Sequence, residues 1–282
     1  WLTALAKTDD SGPLPPRQRI TGFSNPTVKA ARALRDKKHR RREGLFLAEG
    51  LRLLTEAREA GILPVQLFVA IDRAPHPLVE ALERAVMLAG GSVYETTPDI
   101  LGKISGKDNP QTVIGVMADL PLGLDRLDRG DAPIWLVAQS LRDPGNLGTM
   151  LRTGDAVGAG GLILIDQCVD PFSMEAVRAS MGAVFTVPLA HAEWDAFIAW
   201  LRAGPGELIG TSLDTDQDYQ AVRYTSPTFL LIGNEAQGLP PEYEAACDRL
   251  VKIPMLGKAD SLNAAVACAV MAYEVLNQAR TL

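Results

Sequence analysis

The sequence predicts an α/β protein in two parts, and three observations carry that reading. Short apolar segments alternate with helix-like stretches along most of the chain. A charged, Gly- and Pro-rich stretch interrupts the alternation near residue 125. After it, apolar segments repeatedly end in Gly or Pro turns, as parallel strands do where they deliver ligand-binding loops. The chain has 282 residues, enough for two modest domains. Its composition, 47% hydrophobic and 22% charged, excludes wholesale disorder.

The elements follow in order. Residues 1–22 contain Pro13, Pro15 and Pro16 with little periodicity and read as a flexible tail. Asn25-Pro26 is an N-cap followed by a proline in the first turn, predicting a helix that runs to about Arg42. Leu45–Ala48 reads as a strand, Glu49–Ala60 as a helix, Val65–Ala70 as a buried strand, Pro77–Ala89 as a helix and Val113–Ala118 as a strand. Residues 23–118 are therefore one domain and 119–133 a linker. The second domain, 134–282, has predicted strands at 134–138, 161–165, 186–189, 207–213, 228–232 and 250–253. A long helix is expected from Ser261 onward, with Leu262, Val266, Ala269, Tyr273 and Leu276 forming its apolar face.

Charge is unevenly spread. The total is −6, yet Lys29 to Arg42 hold eight basic residues against Asp36 alone, a net +7 that leaves −13 elsewhere. Such a run is either a solvated helix face or a local site for polyanions. Cys168, Cys247 and Cys268 form neither a disulfide framework nor a metal-ligand spacing, which predicts a reducing compartment and no metal. No apolar run approaches the roughly 18 residues needed to span a bilayer, and no basic-then-apolar leader opens the chain. The expectation is a cytoplasmic protein whose true start lies upstream of Trp1.

Two nucleotide motifs fail on context. Val157-Gly158-Ala159-Gly160-Gly161 resembles a dinucleotide fingerprint, but a helix precedes it, a strand follows, and the third glycine is missing. A helix C-cap entering a strand explains it better. No GxxxxGK[ST] loop is present.

Three segments of the second half stand out. Residues 141–154 place Pro144 and Gly145 in a loop after a strand, then Asn146 and Arg152 six apart, near one face of a helix. An amide and a fixed guanidinium there suit a polyanion or a hydroxyl, although an Asn cap and a surface Arg would look the same. Residues 230–242 run a buried strand into Gly233, with Glu235 just beyond its carboxyl end and Pro240-Pro241 opening a helix. Residues 251–266 end a strand at Ile253-Pro254-Met255 and begin a helix with Ser261 and Asn263, where alanines also permit plain tight packing.

In that order, N-L-G-x-x-x-R, G-N-E-x-x-G-L and I-P-M-x-G-x-x-x-S-L-N resemble the three motifs of the SpoU (TrmH-like) branch of SPOUT RNA methyltransferases. Asn25-Pro26, the basic helix and Gly44-Leu45-Phe46-Leu47-Ala48-Glu49-Gly50 are similar to the substrate-binding domain that precedes the catalytic one in that family. The resemblance covers nearly everything after residue 23. It implies an N-terminal L30e-like α/β domain and a C-terminal SPOUT α/β domain with a trefoil knot, working as a homodimer. It also implies S-adenosyl-L-methionine as donor, an RNA ribose 2′-hydroxyl as acceptor, and no metal.

By resemblance, Asn146, Arg152, Glu235, Ser261 and Asn263 are the catalytic set. Thr211, Ser212, Leu213, Ile232, Gly233, Ile253, Met255, Leu262 and Asn263 would hold the cofactor. Lys29, Arg32, Lys37, Lys38, Arg40, Arg41, Arg42 and, more weakly, Arg178 would meet RNA phosphate. Ala264-Ala265 departs from the Val-Ser of many relatives. The favoured substrate is 23S ribosomal RNA ahead of tRNA. A non-catalytic RNA-binding assembly factor and methylation at a base nitrogen are the competing readings.

Overall fold

The computed structural model describes residues 16–234 and 236–281. The first half is a five-stranded sheet with helices packed on it. In chain order it contains β1 (Gln18–Ile20), α1 (Pro26–Ala33), α2 (Lys37–Glu43), β2 (Leu45–Glu49), α3 (Leu51–Glu59), β3 (Gln66–Ala70), α4 (Pro77–Leu88), β4 (Ser92–Thr96), α5 (Pro98–Ser105) and β5 (Val113–Ala118). The strand order is β1-β4-β3-β5-β2, with β5 antiparallel to both its neighbours.

Three expectations need correction here. Gln18–Ile20 lie within the predicted tail but form a strand on the edge of the sheet. Ile20 is buried, its carbonyl accepts from Thr96 Oγ1 (2.8 Å), and Arg17 pairs with Glu83 and Glu95. The predicted helix from Asn25 to Arg42 is two helices, because Asp36 breaks it by accepting from the Lys38 N–H (2.7 Å) and capping a new start. The sequence reading also omitted β4 and α5. Their signals, Ser-Val-Tyr-Glu-Thr and a Thr97-Pro98 start, lie between the predicted helix at 77–89 and the predicted strand at 113–118, where no element is predicted.

The second half is a six-stranded, all-parallel sheet ordered β11-β9-β10-β6-β7-β8. Its elements are β6 (Ile134–Gln139), α6 (Pro144–Val157), β7 (Leu162–Ile165), α7 (Met174–Ala179), α8 (Ala183–Thr186), β8 (Leu189–Ala192), α9 (Trp194–Arg202), β9 (Glu207–Thr211), β10 (Thr228–Ile232), α10 (Pro241–Ala246), β11 (Arg249–Val251) and α11 (Ala264–Thr281). The strand expected at 186–189 is displaced: Thr186 ends a short helix and the strand starts at Leu189. Pro144 and Gly145 open α6 rather than a loop, because Asp143 caps it by accepting from the Asn146 N–H (2.7 Å). Residues 119–133 carry two short 3₁₀ turns.

The two sheets share a core. Phe46 on β2 stacks on Phe172 (centroids 4.8 Å apart) and lies 6.3 Å from Phe185, both from the second half. Two ion pairs flank that contact: Arg40 to Asp170 (2.7 Å) and Glu49 to Arg178 (2.8 Å). Burial alone pushes the Glu49 carboxyl up, but the Gln111 N–H, Lys107 and Arg178 outweigh it and hold it below its ordinary value. Arg40 is only 5% exposed and also donates to the carbonyls of Leu34 and Arg35. The joint between the halves is therefore packed and paired, which fixes the first sheet relative to the second.

Candidate functional site

A cavity of about 570 Å³ opens at the carboxyl ends of β9, β10 and β11, where an open parallel sheet presents its ligand loops. Its floor is apolar, with Ile232, Leu239, Val251, Ile253 and Met255, and hydroxyls of Thr211, Ser212 and Ser261 stand along it. The start of α11 closes one side with Leu262 and Ala264.

The wall that carries Gly233, Asn234 and Ala236 to Leu239 closes on itself. Asn234 N–H donates to the Gly238 carbonyl (3.1 Å) and Gly238 N–H returns a bond to the Asn234 carbonyl (2.9 Å). The Asn234 side chain completes the closure: Nδ2 donates to the Ser140 carbonyl (2.8 Å), and Oδ1 accepts from the Ala236 and Gln237 N–H groups. Ser140, at the end of β6, holds a positive φ of 48°, and Asp166, at the end of β7, one of 61°. Gln139 Nε2 reaches both Ser140 Oγ (2.8 Å) and Asp166 Oδ2 (3.2 Å), and Tyr243 on α10 donates to Asp166 (2.8 Å). Burial, followed by that bond to Asp166, raises the Tyr243 phenol, so it stays a donor. A continuous polar chain thus braces the cavity loop against two strained strand ends.

Eight of the nine residues expected to hold a cofactor line this one cavity; Asn263 does not. Asn263 instead caps α11, accepting from the Ala265 and Val266 N–H groups, and donates from Nδ2 to Asn146 Oδ1 (2.9 Å). The first and third sequence segments therefore meet side chain to side chain. Ser261 faces the cavity. Arg152 is exposed on α6, outside the cavity lining and with no ion pair among the described residues. Six residues of helix separate it from Asn146 by about a third of a turn, so the two do not share a face. Glu235 lies outside the described residues.

Of the basic set, Lys29, Arg32, Lys37, Lys38, Arg41 and Arg42 are exposed. Arg40 is corrected: burial and its Asp170 pair commit it to the joint between the halves. Arg178 is held by Glu49 in the same joint. Asn234, not among the candidates, is the residue the sequence reasoning missed. Its only signal was its place between Gly233 and Glu235. Burial pushes the three thiols up, Cys168 to about 11 and Cys247 and Cys268 to about 12, which keeps them protonated near neutral pH. No group of His, Cys, Asp and Glu among the described residues could hold a metal.

The cavity can take an elongated, mostly apolar small molecule through backbone groups. Its size falls within the roughly 300–1,000 Å³ typical of ligand pockets. The backbone N–H groups of Gly233, Ile253 and Leu262, all three residues of the cavity lining, bond to no backbone carbonyl among the described residues. Such a set suits an adenine edge and an amino-acid chain.

Residues 133–273 match the model of the SpoU rRNA Methylase family, half of the chain. The chain belongs to the SpoU rRNA methylase family. Residues 25–115 match an MRM3-like substrate binding domain. Among relatives of this SpoU protein, the 23S rRNA (guanosine(2553)-2′-O)-methyltransferase RlmP of Bacillus subtilis is 29% identical, the match covering 92% of this chain and 99% of that one. The 23S rRNA (uridine(2479)-2′-O)-methyltransferase of Streptomyces viridochromogenes is 31% identical over 94% of this chain and 93% of that one. An AdoMet-bound rRNA methyltransferase from Sinorhizobium meliloti superposes with a TM-score of 0.86 at 39% identity, covering 92% and 97% of the two chains.

Proposed function

We propose that this SpoU protein transfers the methyl group of S-adenosylmethionine to a ribose 2′-hydroxyl of 23S ribosomal RNA. The observation that carries the reading is the cavity beyond β9, β10 and β11, with Asn146 and Asn263 bonded to each other at the start of α11. Full-length relatives named for 23S rRNA 2′-O-methylation support this substrate over tRNA.

S-adenosylmethionine, when bound, supplies a methyl group already activated on a positive sulfur. The chain's task is then positioning, which contributes much of the rate in such transfers. The apolar floor and the N–H groups of Gly233, Ile253 and Leu262 hold the donor. Ser261, at the cavity rim, orients the acceptor hydroxyl, and the Asn146–Asn263 pair fixes the start of α11 beside it. Glu235 belongs to the catalytic set by its position after Gly233. Arg152 stabilises the developing alkoxide or the neighbouring phosphate. Its guanidinium stays protonated in proteins, so it serves by charge and not as a base.

The protein works as a homodimer in this reading. Part of the expected apolar face of α11 is outside: Val266 is 47% and Tyr273 52% exposed, whereas Leu276 packs against the core and Ala265, Cys268, Met271, Ala272 and Val275 point inward. An apolar helix face in solvent is what a second copy would cover. The family's knot is expected among the segments that wall the cavity, and a cytoplasmic location goes with a ribosomal substrate.

The test is labelled S-adenosylmethionine with unmodified 23S rRNA and, separately, tRNA, followed by mapping of alkali-resistant riboses. One resistant ribose in 23S rRNA is expected. Arg152→Ala should lower turnover about 10²–10³-fold, the size of losing one electrostatic stabiliser, with donor binding intact. Label appearing on a base would replace the ribose assignment, and donor binding without transfer to any ribosomal RNA would leave an assembly factor.

A further inference from the structure

The most unusual surface outside the cavity lies on the first domain, between α1 and α5. Two adjoining depressions share Arg32 and Arg35. One continues toward Lys29 and His39, and the other, about 580 Å³, toward Lys103, Lys107 and Phe23.

Four of its five Lys and Arg side chains, Lys29, Arg32, Arg35 and Lys103, have no ion pair among the described residues. Three acids border the groove. Asp36 is occupied in capping α2, Asp99 lies in the first turn of α5, and Asp108 follows Lys107. Arg35 is also held in place. Its guanidinium lies against Gly106, the left-handed residue that ends α5 (φ 75°), where a Cβ would collide with it. A cation at a helix C-terminus is favoured by the exposed carbonyls there.

Phe23 stands at the head of the groove, 51% exposed and outside every core cluster. An exposed aromatic ring is unremarkable alone. Beside three unpaired cations, Arg32, Arg35 and Lys103, in a groove with room for one nucleotide, it has the parts of a single-strand site: a face for a base and charges for the backbone. The groove is also tied to the reaction domain. Lys107 in its wall bonds Glu49 (3.2 Å), and Glu49 holds Arg178 on α7. α7 in turn packs against α6 at Gly148, where an added Cβ would strike Ala179, and α6 carries Asn146 and Arg152.

We infer that the groove between α1 and α5 holds an unpaired nucleotide of the substrate RNA, its base stacked on Phe23 and its phosphates on Arg32, Arg35 and Lys103. This rests on the RNA methyltransferase reading and adds what that reading lacks, a place where a loop is told from a duplex. The rigid joint then sets a fixed distance between the captured nucleotide and the methylated ribose.

The test uses the full chain, a fluorescein-labelled RNA hairpin with an open loop, and a blunt duplex of the same stem. Phe23→Ala should weaken hairpin binding about tenfold, within the range for losing one stacked base, with duplex binding unchanged. Phe23→Tyr should restore it. Arg35→Ala should weaken both and reduce the salt slope by about one phosphate contact. Calorimetric binding of S-adenosylmethionine should be the same in all variants, which also reports that they fold. Wild-type hairpin affinity in Phe23→Ala, equal loss on the duplex, or equal competition by polyglutamate would each overturn the inference. Intact loop-selective binding with no methyl transfer would instead remove the function proposed above and leave the groove standing.

Discussion

Gly233→Ala is the sharpest probe of the cavity. A Cβ built on Gly233 would sit 2.5 Å from the Gly238 carbonyl carbon and 2.6 Å from the Leu239 nitrogen. Both are backbone atoms, so neither can rotate away. Ordinary contact begins near 3.4 Å, so the 238–239 segment must retreat by about 1 Å. That movement opens the reciprocal bonds between Asn234 and Gly238, each worth roughly 0.5–1.5 kcal/mol net. It also lifts the buried Leu239 from its contacts. Together the loss should be about 1–3 kcal/mol, lowering the melting temperature by roughly 2–10 °C for a domain of this size. The same retreat moves the cavity wall, so calorimetry should show S-adenosylmethionine affinity reduced at least about tenfold. Gly22→Ala is the control, since nothing lies within 4 Å of its added Cβ. If Gly233→Ala melts and binds like the control, the closed loop does not shape the cavity and the argument from it fails.

Three further outcomes test the joint and the helix start. Arg40→Ala removes one partner of a pair whose side chains are 7% and 14% exposed, so it should cost about 3–5 kcal/mol. Thermal unfolding and faster proteolysis between the halves would register this, and a variant cleaved no faster than wild type would place Arg40 back among surface residues. Glu49 has its carboxyl held below the ordinary 4.5, so its contribution is full above that value and fades as pH falls through the lowered one. Glu49→Gln should therefore be less stable near neutrality and lose less between pH 5 and 3, and parallel stability-against-pH curves would contradict this. Asn263→Ala removes both the cap of α11 and the bond to Asn146, with about 0.5–2 kcal/mol lost. Its circular dichroism melt should shift, while Asn263→Ser should recover the cap without the Asn146 bond.

Much of the architecture could be read from the sequence because its strands are fully buried and therefore continuous apolar runs. Val113–Ala118 and Thr228–Ile232 come out at the residues expected. The cavity was legible for a related reason: a parallel strand entering Gly or Pro marks the end where ligands bind, and Gly233, Ile253 and Met255 sit just past such ends. What escaped depends on partners distant in sequence. Nothing in Lys-Lys-His-Arg-Arg-Arg singles out the fourth residue, yet Arg40 alone among these is buried, because Asp170 comes to it from the other half. Gln18–Ile20 carry no strand signal, and β4 makes them a strand by offering its free edge. The apolar stripe of α11 shows the limit of periodicity itself. The helix is apolar on most sides, so the spacing picked out Leu262, Val266, Ala269, Tyr273 and Leu276, of which Leu276 reaches the core and Val266 and Tyr273 do not. The face that packs against α6 and β10 is instead Ala265, Cys268, Met271, Ala272 and Val275, which mixes small and large residues and so stands out less in the spacing. Val266 and Tyr273, left exposed one after the other along α11 from the helix start that borders the cavity, are then where the proposed homodimer is to be tested.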